Sequence, residues 1–338
     1  MNRTLLCAIA ALSLLAAMPV KASEPEKNTK LVETLFAEVR VSGNATFTDD
    51  DSQAKFTGDY LNVNIAGHIT DNVSYRIRQR FTKNVYDENH ILHGTDFAWL
   101  TWQIDDKWSL TAGKYPDAIG GYEFDEAPID LYYCSSFCNN LYQYYVIGVI
   151  GGYAVKPGQN LLLQISESPL ANAAPNTFSY SLMWRGSFSS WWNTLWSLNF
   201  IEDRSSRFMN YISLGNQIVL DNFTWELDFQ NRAGFGQSNP FLTDWSVVSN
   251  FEYRVGKFNF LLKGGYDINK KDNFDDKGVA YDLAVLPGDE YFYAGGGFEF
   301  FPLEGRDDIR IHAIYDWNNA AKASHFSVGV KWRVNFVK

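Results

Sequence analysis

Long apolar runs are missing from the sequence after residue 22, where no stretch reaches the roughly 18 residues that a membrane-spanning helix requires. Helical membrane proteins are therefore excluded. Positive charge is also scarce, with 29 Lys and Arg against 39 Asp and Glu, so the chain lacks the basic surface that a nucleic-acid partner needs. Proline is limited to 10 of 338 residues, whereas aromatic residues reach 16%, a fraction too high for a disordered chain.

The N-terminus, in contrast, has the pattern of a secretory signal. Met1-Asn2-Arg3 forms a short positive region, Leu5 to Ala17 an apolar core, and Val20-Lys21-Ala22 a small-residue cleavage site. We expect cleavage after Ala22, followed by a short periplasmic lead over residues 23–35.

Cysteine is rare, with three residues in the whole chain. Cys7 lies in the predicted signal, so Cys134 and Cys138 remain after export. An exported protein can form disulfides, and an i, i+4 pair in a helical turn has Cα atoms about 6 Å apart, near the upper limit for a bridge. A Cys134–Cys138 disulfide is the favoured expectation, and two free thiols are the alternative.

What the chain does have is a two-residue repeat of apolar side chains. In the segment from Trp245 to Val255, one face carries almost only apolar side chains and the other is mostly polar, as in a β-strand with two different environments. Gly256-Lys257 follows, and then a second alternating run begins at Phe258. Two residues between such runs predict a β-hairpin.

The same pattern recurs about sixteen times over residues 36–338, in runs close to the roughly ten residues of a tilted transmembrane strand. Short connections, such as Asp71-Asn72 and Asp221-Asn222, alternate with long polar ones, such as residues 117–143 and 269–290. Short turns at one end and long loops at the other are typical of outer-membrane barrels. We therefore predict an all-β protein: a transmembrane antiparallel β-barrel of about sixteen strands.

The alternative is a secreted, soluble all-β protein whose apolar face packs inward. Strand length, loop asymmetry and aromatic residues at strand ends favour the membrane. The polar face carries Arg254, Lys263, Arg310 and Lys331 near its centre, and such a face cannot fill a dry core without partners.

In the predicted barrel the polar face lines the lumen, where by sequence about eleven basic groups oppose six acidic ones. Val73, Tyr75 and Ile77 point to lipid, so the three alternate arginines of the same strand point inward. Basic ladders in narrow pores select anions, although these arginines could instead brace the wall through salt bridges. The basic residues that we assign to the pore lining are Arg76, Arg78, Arg80, Arg254, Lys263, Arg310 and Lys331.

The long connection over residues 115–143 combines acidic and apolar side chains. A loop with so many apolar residues is expected to fold back into the barrel and narrow it, and facing the arginines it would create a transverse electric field. A cap over the barrel mouth is the alternative. The predicted constriction residues are Asp117, Glu123, Asp125, Glu126 and Asp130.

A family resemblance is carried by residues 98–116, AWLTWQIDDKWSLTAGKYP, and by the following Ile119-Gly-Gly-Tyr-Glu. These segments resemble the strand-turn-strand and Gly-Lys, Gly-x-Glu region of the phosphate-selective porin O and P family, in the form found in Bacteroidota. The resemblance implies a sixteen-stranded porin of the Gram-negative outer membrane, often trimeric, with an inward loop after the fifth strand. Of the arginine ladder in its phosphate-specific members, the run from Arg76 to Arg80 is the comparable part.

We therefore predict a water-filled channel for passive diffusion of small hydrophilic solutes, with a weak preference for anions and phosphate as a candidate. A non-selective porin, a barrel enzyme and an adhesin are the alternatives. The expected partners are outer-membrane lipid, the diffusing solutes and further copies in a homotrimer, with no nucleic acid.

An enzyme would need a histidine beside a nucleophile or carboxylate. His68 and His312 have no obvious nucleophile nearby, and His90 and His93 share a polar loop with acidic residues that is interpreted more simply as solvated. Walker, dinucleotide-binding and paired-cysteine zinc motifs are all absent from the sequence. We predict no enzymatic activity, no cofactor and no bound metal.

Overall fold

The computed structural model describes residues 30–82, 94–141, 144–170, 175–205, 207–282 and 284–337. The predicted signal at residues 1–22, most of the predicted lead, and the loop histidines His90 and His93 lie outside the described residues. The cleavage site and the lead therefore stay predictions.

Almost all of the described chain is β-strand. The strands are β1 (Thr34–Phe47), β2 (Ser52–Thr70), β3 (Val73–Arg80), β4 (Thr95–Gln103), β5 (Trp108–Pro116), β6 (Tyr145–Lys156), β7 (Gln159–Glu167), β8 (Phe178–Ser187), β9 (Trp192–Glu202), β10 (Phe208–Leu220), β11 (Phe223–Gly234), β12 (Asp244–Val255), β13 (Phe258–Asn269), β14 (Glu290–Phe300), β15 (Ile309–Asn318) and β16 (Ala323–Asn335). Two short helices, α1 (Tyr122–Asp125) and α2 (Ser136–Asn140), lie between β5 and β6.

Every strand pairs antiparallel with its neighbours in the chain, and β1 also pairs with β16. The closing ladder places Val39 opposite Trp332 and Arg40 opposite Lys331. Within the described residues the sheet is thus one closed barrel of sixteen strands, which confirms the predicted fold. The helices of this part of the chain are all too short to cross a membrane.

The two faces of the strands have opposite character, as the alternation predicts. On β13, Leu262 is 59% exposed on the outside of the barrel, whereas the adjacent Lys263 is buried on the inside. An apolar outer face requires an apolar solvent, so the arrangement fits lipid and not the soluble alternative. One irregularity adds a side chain to the lumen: a β-bulge at Asp59 interrupts the β1–β2 register, and this carboxylate bonds the inward-facing Ser42.

A charge on the outer face should destabilise the barrel. We expect Leu262→Arg to lower the free energy of unfolding by about 2–4 kcal/mol, the cost of an arginine near the bilayer midplane. Leu262→Phe, which keeps the position apolar, is the control and should fold as the unmodified protein does. The measurement is urea unfolding in lipid vesicles, and equal stability of the two variants would contradict a lipid-facing position.

Candidate functional site

The loop after β5, residues 117–141 and 144 and here called the constriction loop, enters the barrel. The backbone amide of Ala118 donates to the side chain of Gln164 on β7, and that of Gly120 donates to Ser197 on β9 at 2.7 Å. Asn199 of β9 donates back to the Ala118 carbonyl at 2.8 Å. All three wall side chains are buried and point inward, so the inward fold is confirmed and the cap alternative is wrong.

Glycines allow the loop backbone to lie directly on the wall. A Cβ atom at Gly120 would come within 2.7 Å of the Leu195 carbonyl oxygen on β9, and one at Gly215 on β10 within 2.8 Å of the Gly121 Cα. Gly121 also has a φ of 111°, which L side chains rarely adopt. The Gly-Gly pair of the family-like motif therefore has a physical role: only glycine permits this close approach.

The loop carboxylates fasten the loop to the wall. Glu123 accepts hydrogen bonds from the Ser135 amide at 3.1 Å and from the Tyr293 hydroxyl at 3.1 Å, and Lys263 lies 3.0 Å from the same carboxylate. Lys263, predicted to line the pore, thus holds the loop. Asp125 forms a two-point ion pair with Arg185 of β8, with N–O distances of 2.6 and 3.0 Å.

Other predicted loop acids differ in their surroundings. Asp117 is buried at the start of the loop, and burial raises the pKa of its carboxyl to about 7. Glu126 is half-buried, with its carboxylate 3.9 Å from the Lys263 amine, in a region that also contains Glu226 and Glu252. The β11–β12 side of the lumen is therefore acidic.

Asp130 reaches the opposite wall. Its carboxylate pairs with Arg310 of β15 at 3.2 Å and contacts the amine of Lys331 on β16. Arg310 is shared with Glu299 of β14, at 3.1 Å. Beside them Arg40 of β1 donates to the loop backbone, to the Ile129 carbonyl at 2.7 Å. The loop thus spans the lumen from β7–β11 to β15, β16 and β1. Arg310 and Lys331, both predicted to line the pore, meet the same loop carboxylate, Asp130.

One side of the lumen is filled by a packed apolar core that the alternation of the sequence did not predict. Inward-facing side chains of β9 and β10 pack there with the constriction loop and with residues of the β13–β14 connection. The core consists of Ile119, Phe124, Phe137, Leu141, Leu170, Ile201, Met209, Tyr211, Ala284 and Val285. The signal was present as apolar side chains, such as Met209 and Tyr211, on the face otherwise assigned to water.

The open space of the lumen lies on the side of the barrel opposite this apolar core. A cavity of about 570 Å³ at the long-loop end and one of about 250 Å³ at the short-turn end are both lined by residues 131–133 and by Ile314. A third cavity, of about 340 Å³, shares the lining residue Arg310 with the cavity of about 250 Å³. These cavities form a series along β1 and β14–β16, and residues 131–133 divide the first two.

The arginine run of β3 is largely part of the wall. Arg78 and Arg80 both pair with Asp96 at 3.0 Å, and this carboxylate is 0% exposed and also accepts a bond from the Tyr60 hydroxyl. Among the described residues Arg76 has no carboxylate partner, and it donates to Asn64 at 3.3 Å. The prediction assigned all three guanidiniums to the pore lining, with bracing of the wall by salt bridges as the alternative. Arg78 and Arg80 form such bracing salt bridges.

Arg254, also predicted for the pore, lies at the short-turn rim. Its guanidinium pairs with Asp307 at 2.9 Å and lies 3.5 Å from the centre of the Phe301 ring. The sequence placed it in the lumen by strand parity alone, without the β14–β15 turn that supplies its partner.

The predicted disulfide is not present, because both cysteines are free thiols. The prediction assumed one helical turn, but α2 begins only at Ser136 and its N-cap Ser135 is extended, so Cys134 lies outside the helix. Cys134 donates to Asn139 at 3.0 Å, and Cys138 contacts the Tyr144 hydroxyl.

No cluster of His, Cys, Asp and Glu that could hold a metal occurs in the part of the chain that the structure describes. His312 is buried beside Ser42 at 3.1 Å, and His325 is hydrogen-bonded to Thr46 at 3.0 Å. Both histidines are bonded within the barrel wall.

A sixteen-stranded barrel with an inward loop and a series of lumen cavities is the architecture of an outer-membrane porin. The sequence profile of the family named phosphate-selective porin O and P matches residues 35–236, more than half of the chain. The chain belongs to this family and is a porin of the Gram-negative outer membrane. No curated protein matches it as a relative.

Solved structures agree on the fold. The outer membrane channel DcaP of Acinetobacter baumannii superposes with a TM-score of 0.63 at 14% identity, covering 93% of this chain and 100% of that one. An anion-selective porin from Comamonas acidovorans gives 0.61 at 9% identity, covering 91% and 100%. OmpT of Vibrio cholerae in its trimer form gives 0.56 at 10% identity, covering 89% and 99%. At these identities the likeness concerns the fold alone.

Substituting the arginines of β3 should lower the stability of the barrel by different amounts. We expect Arg78→Gln to lower the free energy of unfolding by about 1–3 kcal/mol, because the buried Asp96 loses a charged donor. Arg76→Gln, the matched control two residues away on the same face, should cost less. Unfolding midpoints in urea would measure both, and an equal loss would contradict a bracing role specific to Arg78.

Proposed function

We propose that this porin is a water-filled channel for passive diffusion of small hydrophilic solutes, with a weak preference for anions. The observation that carries the preference is at the constriction, where Arg310 and Lys331 approach a single loop carboxylate, Asp130. Glu299 also pairs with Arg310, so the two bases at this point meet two carboxylates and neither carboxylate is left unpaired. The route past this point therefore follows a wall with little spare negative charge.

The preference is weak because charge on the wall is nearly balanced. Along the β15–β16–β1–β3 side, basic groups slightly outnumber acidic ones. The basic groups are Arg40, Arg76, Arg78, Arg80, Arg310, Lys331 and Arg333, and the acidic ones are Glu38, Asp59, Asp96, Asp130, Glu299 and Asp316. Opposite them stand Glu126 and Glu252, which line the same cavity as Arg310. The result is a transverse field, which orients dipolar solutes while it selects only modestly by charge.

A non-selective diffusion pore is the second candidate, and these opposing carboxylates favour it. We do not extend the proposal to a dedicated phosphate site, since Arg310 and Lys331 are already bound to carboxylates. Phosphate enters as one small anion among others.

Selectivity should change when the basic wall loses one charge. We expect Arg310→Gln to lower the chloride-to-potassium permeability ratio by roughly twofold at low salt, because it removes from beside the route a guanidinium that stays charged at any working pH. The effect should shrink as the Debye length falls from about 10 Å at 0.1 M to about 3 Å at 1 M salt. The measurement is the reversal potential of single channels in a KCl gradient.

Arg204→Gln is the matched control, since it removes one positive charge from the exposed β9–β10 connection, away from the residues that line the three cavities. It should leave the ratio nearly unchanged. Equal shifts in both variants, or no shift in either, would support the non-selective pore instead.

We also propose that the porin assembles as a homotrimer. Vibrio cholerae OmpT, which shares the fold, is described in a trimer form. On this chain the outer face over β16, β1 and β2 has an apolar depression that includes Gly43, Gly58 and Val328. Phe56 projects beside it and is 95% exposed. A protruding ring next to a glycine-lined hollow suits packing against a second copy.

Polar substitution on this face should weaken assembly. We expect Phe56→Asn to shift the mass of the detergent-solubilised porin from trimer towards monomer, because the projecting ring no longer fills a hollow on its neighbour. Phe260→Asn, on the lipid-facing side of β13, is the control and should remain trimeric. Light scattering coupled to size exclusion measures the mass, and a trimer in both variants would place the interface elsewhere.

A further inference from the structure

A second long connection, residues 270–282 and 284–289 between β13 and β14 and here called the plug loop, also enters the barrel. Ala284 and Val285 are buried in the lumen core. Asn140 at the end of α2 donates to the Ala284 carbonyl at 2.9 Å, and Asn269 donates to the Val285 carbonyl at 2.5 Å. The plug loop is thus in direct contact with the constriction loop.

A buried ion pair anchors the plug loop to the wall. Arg232 of β11 donates from Nε to Asp282 at 2.6 Å, and both side chains are 0% exposed. The same guanidinium bonds Ser246 of β12 and lies 5.4 Å from the ring centre of Phe137 in α2. One arginine therefore contacts the wall, the plug loop and the constriction loop.

Two further contacts keep the plug loop in place. Arg207, in the connection before β10, binds Asp275 at 3.0 Å and the Ala280 carbonyl at 2.7 Å. Gly234 at the end of β11 is the second: a Cβ atom there would overlap the ring of Tyr281. The wall has a glycine where the plug loop packs closest.

The plug loop stands behind the constriction loop, on the side away from the lumen cavities. Those cavities are lined by β1, by Asp59 of β2, by β12–β16 and by the constriction loop as far as Asn139 of α2. The buried part of the plug loop packs with the other face of α2 against β9 and β10. If the plug loop moved away, α2 would lose its packing partners, and the space they fill would join the water-filled lumen.

We propose that the Arg232–Asp282 pair is a positioning element that holds the plug loop as a fixed backing for the constriction loop and so sets the cross-section of the pore. The pair touches no diffusing solute and acts through α2. This inference rests on the proposed diffusion function, because it concerns the width of the same channel.

The first test compares two charge-neutralising variants of the same loop. Asp282→Asn leaves the guanidinium of Arg232 without the carboxylate that it binds directly, and a buried charge that loses its partner is stabilised only if water or movement reaches it. Asp276→Asn removes the same charge from an exposed position of the plug loop. We expect single-channel conductance to rise about twofold or more in Asp282→Asn, with entry of larger saccharides in liposome swelling, and to stay unchanged in Asp276→Asn.

The second test reads loop position without any ion flow. In a Cys134→Ser background, Cys138 of α2 is the remaining cysteine after the predicted cleavage, and it is buried beside Phe137. An uncharged maleimide should label it at least about tenfold faster in Asp282→Asn than in the matched Asp276→Asn protein, since local opening exposes α2. Failure of the proposed channel function would remove the conductance signal and leave this labelling difference intact.

Two more variants distinguish displacement of the plug loop from unfolding of the whole barrel. Replacing both partners, Arg232→Met with Asp282→Leu, removes the unpaired charge while filling similar space, and it should restore low conductance and slow labelling. Gly234→Ala leaves the ion pair unchanged but displaces Tyr281, and it should raise both signals in barrels that retain their folded mobility on unheated gels. Should Asp282→Asn not fold, Gly234→Ala serves as the deciding variant. Folded barrels with unchanged conductance and unchanged Cys138 labelling would overturn the proposal.

Discussion

Hydrocarbon offers no hydrogen-bond partner to a peptide group, so each strand of a membrane-spanning sheet must find its partners on both edges. The pairing of β1 with β16 meets this requirement by closing the barrel. In the closed barrel, successive side chains of each strand are divided between the lipid face and the lumen face. Apolar residues such as Leu262 lie outside and polar residues such as Lys263 lie inside. Everything described in the lumen is a consequence of that division, because a closed polar interior must be filled with water, with loops or with both.

The lumen of this barrel is filled by loops on one side and left open to water on the opposite side. Towards β9–β11 the constriction loop and the plug loop enclose an apolar core that resembles the interior of a soluble protein. Towards β14–β16 and β1 the wall stays polar and open. Buried ion pairs, such as Arg232 with Asp282, join the two loops to the wall. A pore confined to one side can be narrow although the barrel that surrounds it is wide.

The electric field in the lumen depends more on which charged groups are paired than on how many basic groups there are. The acidic loop residues hold wall cations: Glu123 binds Lys263, Asp125 binds Arg185, and Asp130 binds Arg310 and Lys331. A tally of basic side chains on the inner face therefore overstates the field that a passing anion meets. What remains is the arrangement of the basic wall against the acidic β11–β12 side, a transverse field with a small net charge.

The sequence by itself determined the barrel, its sixteen strands and the entry of the constriction loop. Those features follow from local patterns: alternation within a strand, the length of each connection, and apolar residues in a polar loop. The partners of the inward cations were decided only by the tertiary structure. Arg310 and Asp130 lie far apart in the sequence, as do Arg232 and Asp282. Alternation states which way a side chain points but not which loop it meets, because that depends on how chain segments remote in sequence pack together inside the closed barrel.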